Sequence, residues 1–479
     1  MRLTSVGPLG AALLLAASCT GVRPQATEAA SPSALVVWVD VAAQDGGDGT
    51  EARPFRRLEE ALAAPAPRRL VHLAAGLYPG PFVAPDGTEL LGASAAVLTA
   101  KAGVTVLEAE GALTLRRILL QGGTLGLRGT GEVRLEDVRF SGQRAGALLI
   151  GQGGHLLAHG VVFEASVSNA VGVHVEAEAQ AELLGCTFEG PWQRGVEALA
   201  PGRLVLATVA FRGAVTAVHL RGGVAELSDV SVSEGRGPGL YVAGGRVSLR
   251  RVQVHGHEYG LLTGTGAVVE AEDFTSTGAD RAGVGVVQAK AHFTKLTVLQ
   301  AGTFGGLQAV SSEVAVEGLL VEDTAGLGIS TRDGSLRLDG ARVLRTRDRD
   351  GSGADGVQLR GGTATFRNLF VGEASGACLL AAEGADVTLV HATLEKCHTA
   401  GLVSETRAHL AASDVSVTDS EGPGAVAISD AVLVLRGFRA VGTEGVLWAE
   451  CADGAQVTAA DVAGPLPALP CIETVRLPR

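Results

Sequence analysis

Apolar and polar residues alternate with a period of two in short stretches along the chain. One stretch places apolar side chains at Val218, Leu220, Ala225, Leu227, Val230 and Val232. The next stretch repeats every one of these positions 22 residues later, from Leu240 to Val254. Alternation of this kind predicts β-strands that bury one face. Each repeat therefore predicts three short strands separated by turns.

The same template recurs along the chain, for example with Val284 and Val286, and again with Val357 and Leu359. From Gly146 to Gly445 thirteen repeats occupy 299 residues, or 23 residues per repeat. Most repeats begin directly after a glycine: Gly146, Gly172, Gly195, Gly239, Gly260, Gly283, Gly306, Gly328, Gly356, Gly376, Gly401, Gly424 and Gly445.

A repeat with three short strands buries its apolar face by stacking on its neighbours, and it needs no spherical core. The pattern predicts an all-β, single-stranded right-handed parallel β-helix (a solenoid) of about 16 to 17 coils. A leucine-rich repeat is excluded because the pattern L-x-x-L-x-L-x-x-N is missing and the only asparagines are Asn169 and Asn368. A propeller blade needs about 40 residues and four strands.

The first 100 residues contain a strand, a Gly/Asp-rich turn and an amphipathic segment that opens at Pro54. This order resembles the opening of bacterial right-handed β-helix proteins of the pectate-lyase-like superfamily, although Arg57 stands where Thr or Ser is usual. The resemblance implies that the segment is an N-terminal helix capping the open end of the stack. The matching residues are Val39-Asp40, Asp45 to Thr50, Pro54-Phe55, Leu58, Ala61-Leu62, Gly76 and Tyr78.

The N-terminus reads MRLTSVGPLGAALLLAASC, with Arg2 before a short apolar stretch and small residues before Cys19. It resembles a bacterial signal peptide with a lipobox, although Ala16 stands where Leu is usual. The resemblance implies cleavage after residue 18 and lipidation of Cys19, which would attach the protein to a membrane. The alternative is ordinary signal-peptide cleavage and release of a free secreted protein.

The sequence divides into five predicted segments. A signal peptide (1–18) precedes a flexible tether (19–34) of small, polar and proline residues. The cap and first coils occupy 35–100, the remaining coils 101–464, and a C-terminal tail 465–479. No later segment has 18 uninterrupted apolar residues, so nothing else should span a membrane. The lipobox resemblance implies an exported outer membrane lipoprotein, either periplasmic or at the cell surface.

Composition narrows the partners and the core. The formal net charge is −12, and no dense Lys/Arg run is present, so nucleic acid is not expected as a partner. Hydrophobic residues make up 46% of the chain but aromatics only 4%. The core is therefore predicted to consist mainly of Val, Leu, Ala and Ile, which suit narrow layers of stacked strands.

Five cysteines follow Cys19. Cys451 and Cys471 flank the proline-rich tail, and a disulfide between them would fix the C-terminal end. Cys378 and Cys397 lie within one coil and form a second candidate pair. Cys186 is expected to be a buried core thiol. No CxxC spacing indicates a metal site.

Enzymes with this fold cut or epimerise acidic polysaccharides, and their motifs are missing. The polygalacturonase-like set N-T-D, D-D, G-H-G and R-I-K is absent, as is the D-P-H-E of alginate enzymes. The nearest approach to the calcium-binding aspartates of pectate lyases is Asp348, Asp350 and Asp355, in a coil stretched to 28 residues. No cofactor is expected apart from possible calcium there, and the alternative interpretation is a solvated acidic turn.

Polar and aromatic residues gather in the turns that precede the coil-starting glycines. Because coils stack, these turns are predicted to form a stripe along the protein, in which Trp and Tyr faces could bind sugars and the His pair could ligate a metal or act as acid and base. The alternative is that these residues are polar only because turns are exposed to solvent, without any ligand. The candidate ligand stripe comprises Trp192, Arg194, His255, His257, Glu258 and Tyr259.

These features favour a non-catalytic, lipid-anchored envelope protein that acts as a scaffold or as a binding module for a polysaccharide or an envelope protein. The alternative function is a polysaccharide lyase or hydrolase with an unfamiliar active site. A cluster of Asp, His and Arg side chains across two or three adjacent coils would favour the enzyme.

Overall fold

The computed structural model describes residues 34–347 and 353–475. The predicted signal peptide, Cys19 and nearly all of the tether lie outside the described residues, as do Asp348 and Asp350. From Ala34 onward the chain forms one compact unit. No helix among the described residues is long and apolar enough to cross a membrane.

Two parallel sheets contain all the strands of the described chain. The narrow sheet contains Phe82–Ala84, Thr105–Ala109, Leu125–Gly129, Gly146–Ile150, Val171–Val175, Arg194–Leu199, Thr216–Arg221, Pro238–Val242, Tyr259–Thr263, Ala282–Val287, Gly305–Val310, Ile329–Arg332, Val357–Arg360, Leu379–Ala382, Leu402–Ser404, Ala425–Ala427 and Leu447–Ala449.

The broad sheet has 27 strands. They are Leu35–Val39, Arg69–Leu73, Gly76–Pro79, Thr88–Gly92, Ala96–Ala100, Leu113–Arg116, Leu119–Gly122, Glu132–Glu136, Arg139–Ser141, His155–His159, Val162–Glu164, Gln180–Leu184, Thr187–Glu189, Arg203–Ala207, Ala210–Arg212, Val224–Ser233, Gly245–His255, Ala267–Thr277, Lys290–Leu299, Glu313–Thr324, Ser335–Thr346, Thr363–Ala374, Asp386–Glu395, His409–Thr418, Val432–Val441, Gln456–Ala460 and Ile472–Thr474.

The strand register confirms the repeat that the sequence predicts. Val218 pairs with Leu240 in the narrow sheet, and Val230 pairs with Val252 in the broad sheet. All six aligned positions are partners in adjacent coils, and their side chains are buried. The protein is a right-handed parallel β-helix of about 17 turns of about 23 residues.

The broad sheet bends once in each coil at a residue with left-handed backbone geometry. Asp229, Arg251 and Asp273 occupy this bend in successive coils, with φ of 54°, 50° and 58°. Asp and Asn tolerate a positive φ better than most residues. The bend lets one strand, such as Gly245–His255, contribute to two faces of the coil.

The coil-starting glycines face the interior where two strands approach closely. A Cβ atom at Gly283 would lie 2.2 Å from Cγ1 of Val298, and one at Gly328 would lie 2.3 Å from Cγ1 of Val343. A side chain at Gly283 or Gly328 would therefore clash with the core. Register places ten of the thirteen glycines in this column; in the other three coils Ala147, Cys378 and Val446 occupy it, and Gly146, Gly376 and Gly445 lie one or two residues earlier.

Four phenylalanines stack inside the N-terminal half of the β-helix. Phe140, Phe163, Phe188 and Phe211 follow one another in register, with ring centroids 5.2, 4.5 and 4.6 Å apart. All four side chains are buried. Stacked rings add directional contacts to a core that is mainly aliphatic.

Short helices occur near both ends of the described chain. The segment predicted to be helical contains a five-residue helix, Leu58–Leu62, which buries Leu58, Ala61 and Leu62 and packs against the strands Leu35–Val39 and Phe82–Ala84. Its capping of the stack stays a prediction. A single 3₁₀ turn, Cys451–Asp453, lies near the C-terminal end.

Both candidate cysteine pairs are disulfide-bonded in the structure. Cys378 and Cys397 join two sides of one coil, and both residues are fully buried. Cys451 and Cys471 connect the 3₁₀ turn to the tail segment just before the last strand, Ile472–Thr474. Cys186 is a free, buried thiol, and burial raises its pKa to about 11.

Candidate functional site

The narrow sheet presents one outward-facing side chain per coil between two buried apolar residues. His174, Glu197, His219 and Tyr241 occupy this position in four successive coils, and the strand register aligns them as neighbours. They form a single column on one face of the β-helix, which we call the outward column. Its neighbours before and after this group are the apolar residues Leu149 and Leu262.

Glu197 is the centre of this group. Its carboxylate accepts a hydrogen bond from Arg194 Nη1 at 2.9 Å and lies 3.1 Å from His174 Nδ1. His219 Nδ1 lies 3.6 Å from the same carboxylate. Glu197 is only 4% exposed, so three basic groups surround a buried negative charge. We call these four residues the Glu197 cluster.

The electrostatics of the cluster favour the ionised form of the Glu197 carboxylate and the neutral form of the His219 imidazole. The hydrogen bond with His174, helped by the charge of Arg194, lowers the pKa of Glu197 to about 2. Burial, helped by the nearby Arg194 charge, lowers the pKa of His219 below its usual value. Glu197 is therefore a fixed negative charge at neutral pH.

His174 is the member of the cluster that solvent and a ligand can reach through its ring. Its side chain is 26% exposed, and Nδ1 is engaged with Glu197. Its Nε2 atom has no hydrogen-bond partner among the described residues. A carboxylate that holds one imidazole nitrogen orients the ring and directs the other nitrogen outward. Such a nitrogen can accept or donate a proton, or hydrogen-bond a ligand hydroxyl.

An aromatic ring extends the cluster into the next coil. The Tyr241 ring lies 5.0 Å from the His219 ring, tilted by 33°. Tyr241 is half-buried. The group therefore combines a charge, hydrogen-bonding side chains and an aromatic face over four coils, which spans about 14 Å at the usual strand spacing.

Three residues of the predicted ligand stripe are buried. Trp192 belongs to the core and has no exposed surface. His257 is 1% exposed, with its Nδ1 atom 3.1 Å from the Gly237 carbonyl, and Tyr259 is 7% exposed. These rings fill space at the corners of the coils, so they do not form an exposed sugar-binding stripe. The prediction that placed them on the surface is wrong.

The other three residues of the stripe do not lie together. His255 is exposed at the end of a broad-sheet strand. Glu258 pairs with Arg281 at 2.8 Å. Arg194 contacts Glu197 and is the only stripe residue that belongs to the Glu197 cluster.

The acidic candidates for calcium are only partly described. Asp355 is 7% exposed, and its carboxylate accepts hydrogen bonds from the Ala377 N–H at 2.8 Å and from Gln358 Nε2 at 3.0 Å. Burial raises the pKa of this carboxyl. Within residues 34–347 and 353–475, no group of three His, Cys, Asp or Glu side chains has a geometry suited to a metal ion. Calcium binding stays a prediction.

Sequence reasoning missed His174, Glu197, His219 and Tyr241 although the template contained their position. The repeat was defined by the buried pair on each side, such as Val218 and Leu220. The residue between that pair points outward by strand alternation. Comparing this intervening residue from coil to coil would have revealed the column His, Glu, His, Tyr.

Acid is expected to destabilise the protein through two histidines, His219, which is half-buried, and His257, which is buried. Burial lowers the pKa of both His219 and His257 below 6.5. Below that pH the unfolded chain binds protons that the folded chain resists, so the free energy of unfolding falls as pH drops through about 6.5. The contribution of Glu197 persists here and is lost only as pH falls from about 4.5 towards 2.

Urea unfolding at pH 7.5 and pH 5.5 measures this effect. The His219→Gln variant should show a smaller loss between the two pH values than the wild type, whereas the exposed-site control His159→Gln should match the wild type. Equal pH dependence of His219→Gln and the wild type would contradict the assignment.

Comparison with known proteins finds no matching family model and no matching curated protein. Among solved structures, the chain is similar to the catalytic unit of a GH87 α-1,3-glucanase from Streptomyces thermodiastaticus strain HF3-3, with 14% identity over 71% of this chain and 65% of that one, TM-score 0.38. The match thus spans slightly less than two thirds of the glucanase unit.

Two further similar structures are those of a PL6 family alginate lyase, AlyGC, and a periplasmic alginate epimerase, AlgG. The lyase has 8% identity over 84% of this chain and 92% of its own, TM-score 0.24. The epimerase has 11% identity over 88% and 80%, TM-score 0.27. Because the identities and TM-scores are this low, the activities of these enzymes are not transferred to this chain. Its parallel β-helix is established from its own strand pairing.

Proposed function

We propose that this chain is an exported, lipid-anchored protein of the bacterial envelope that binds a polysaccharide on the narrow sheet, at the Glu197 cluster and Tyr241. The lipobox-like residues before Cys19 support the anchor. The β-helix itself serves as a rigid scaffold that holds the binding side chains at a fixed spacing along one face. Imidazole, guanidinium and phenol groups suit sugar hydroxyls and ring faces.

One observation carries this proposal: a buried carboxylate lies on the outside of the stack. Burying a carboxylate is costly unless charged and hydrogen-bonding partners replace its water, and here Arg194, His174 and His219 are those partners. The fold does not need the charge, since Leu149 and Leu262 occupy the equivalent position nearby. Polar clusters of this kind with perturbed pKa values concentrate at functional sites.

A second candidate function is acid–base catalysis on the same polysaccharide. The observation that favours it is the contact between Glu197 and His174, which spans adjacent coils and leaves His174 Nε2 without a partner among the described residues. This cluster of Glu, His and Arg across adjacent coils is close to the criterion that sequence analysis set for an enzyme, with Glu in place of Asp. In this function His174 is the general base and Glu197 the residue that orients it.

A polysaccharide panel with the full chain tests both candidates. The panel contains polygalacturonate, alginate, hyaluronan, α-1,3-glucan and β-1,4-glucan, with and without calcium. Affinity electrophoresis measures binding, and assays for new reducing ends and for unsaturated uronates measure turnover. Binding without turnover supports the binding module. If no polymer binds and none is cleaved, the proposed function is wrong.

Product release would instead support the enzyme, provided that it depends on the cluster. His174→Ala should abolish release, whereas His409→Ala should retain it. His409 is a suitable control because it also contacts a carboxylate, Asp386 at 2.9 Å, but lies on the broad sheet. Release that both variants retain would exclude the Glu197 cluster as the active site.

A further inference from the structure

Trp448 is the most accessible tryptophan in the described chain, and it lies on the same face as the Glu197 cluster. It is 50% exposed, in the last narrow-sheet strand, Leu447–Ala449. Trp192 is fully buried, and Trp38 is half-buried on the broad sheet against His72. A half-exposed Trp on a regular strand is an unusual use of a large apolar side chain.

The surroundings of Trp448 form a shallow apolar depression. Val426 and Val403 face outward in the two preceding coils but are only 8% and 9% exposed, because they pack with Ala377 and Ala400 in a cluster separate from the core. An open cavity of about 570 Å³ lies over this surface. Its polar lining includes the Thr399 side chain and a single charged residue, Glu444.

The outward column connects Tyr241 to Trp448 without interruption. Strand register leads through nine consecutive pairings, which span about 43 Å at the usual spacing between strands. The middle of the column, from Gly285 to Gln358, consists of small or polar residues without charge. A chain of sugars could therefore lie flat on it. From Tyr241 towards the C-terminal end of the β-helix, the residues of the column are Leu262, Gly285, Gln308, Ser330, Gln358, Leu380, Val403, Val426 and Trp448.

We propose that Trp448 is a second, distant subsite for the same linear polysaccharide, at which one pyranose ring stacks on the indole. This inference rests on the proposed function and names the length and direction of the ligand: a chain that runs along the narrow sheet for about nine strand spacings. The C–H face of a pyranose carries partial positive charge and meets the negative face of the indole. Glu444 and Thr399 accept hydrogen bonds from the ring hydroxyls.

The chemistry of the surface favours a glycan over a protein partner. A protein that docked here would need a wider apolar patch than one tryptophan and a few small side chains. A glycan offers both hydroxyl groups, which suit Gln308, Ser330 and Gln358, and apolar ring faces, which suit Trp448. A second copy of this chain on the same surface is an outcome that the experiment separates.

The experiment compares ligand lengths. The full chain is titrated with cello-oligosaccharides and oligogalacturonides, from disaccharides to dodecasaccharides, and indole fluorescence is followed with acrylamide quenching. Two linked subsites should raise the affinity at least about tenfold between the tetramer and the dodecamer, because the second contact becomes intramolecular. The dodecamer should also protect one tryptophan from acrylamide.

Trp448→Ala should remove this gain with length and the acrylamide protection, and should leave tetramer binding unchanged. Trp38→Ala, which removes an aromatic ring on the broad sheet, should keep both. Equal affinity of Trp448→Ala and wild type for the dodecamer overturns the subsite while leaving the Glu197 cluster intact. Loss of tetramer binding, or a wild-type dimer that Trp448→Ala dissociates without glycan, also overturns it. If neither series binds the wild type, this inference fails, whereas the proposed function fails only if no polymer of the panel binds and none is cleaved.

Discussion

Glutamine in place of Glu197 is expected to lower the free energy of unfolding by about 2 kcal/mol and to weaken polysaccharide binding at least about tenfold. The variant keeps the size of the side chain but removes the charge that His174, His219 and Arg194 surround. Arg194 is 36% exposed, so solvent screens part of its interaction and keeps the loss moderate. Urea unfolding and affinity electrophoresis measure the two effects.

The matched control is Glu226→Gln. Glu226 pairs with Arg203 at 3.0 Å, but its side chain is 53% exposed on the broad sheet. Exposed ion pairs contribute little to stability, so this variant should lie within about 0.5 kcal/mol of the wild type and bind equally well. If both glutamine variants behave alike, Glu197 has no special role.

Alanine in place of Phe188 is expected to cost about 3 to 5 kcal/mol of the free energy of unfolding. The Phe188 ring is completely buried between Phe163 and Phe211, with centroid distances of 4.5 and 4.6 Å. The cavity opens in the middle of a continuous column, where the neighbouring coils are held by their own pairing and can collapse only slightly. Urea unfolding followed by circular dichroism measures the change.

Phe304→Ala provides the comparison, because Phe304 is 38% exposed and the guanidinium of Arg281 lies 5.1 Å from its ring centroid. Its removal should change stability by less than about 1 kcal/mol. A loss below about 1 kcal/mol for Phe188→Ala would contradict the interior stack of phenylalanines.

The fold was predictable from the sequence because each coil by itself shows the same alternation of apolar and polar residues. Strand alternation identified Val218 and Val230 as inward residues, and their partners in the next coil followed from a constant offset. The glycines that begin coils were recognised by position. The reason for them, the close approach of side chains such as Val298, depends on how the coil closes and needed the structure.

The candidate site was less predictable because it depends on which side chains point outward. Turns were expected to hold the ligand, but side chains in a turn can point either way, and Trp192 and His257 fill the interior. Arg194 was identified in the turn but not its partner Glu197, which follows three residues later in the strand. A single Glu in an apolar strand does not indicate a site by itself. Only the stacking of the adjacent coils places His174 and His219 beside Glu197.

Hydrogen–deuterium exchange of the full chain, with and without the polysaccharide that binds best in the panel, tests the central claim most directly. The account predicts new protection in the narrow-sheet strands Val171–Val175, Arg194–Leu199, Thr216–Arg221 and Pro238–Val242, and little change in the broad sheet. Protection confined to the broad sheet, or to the turn at residues 255–258, would contradict it.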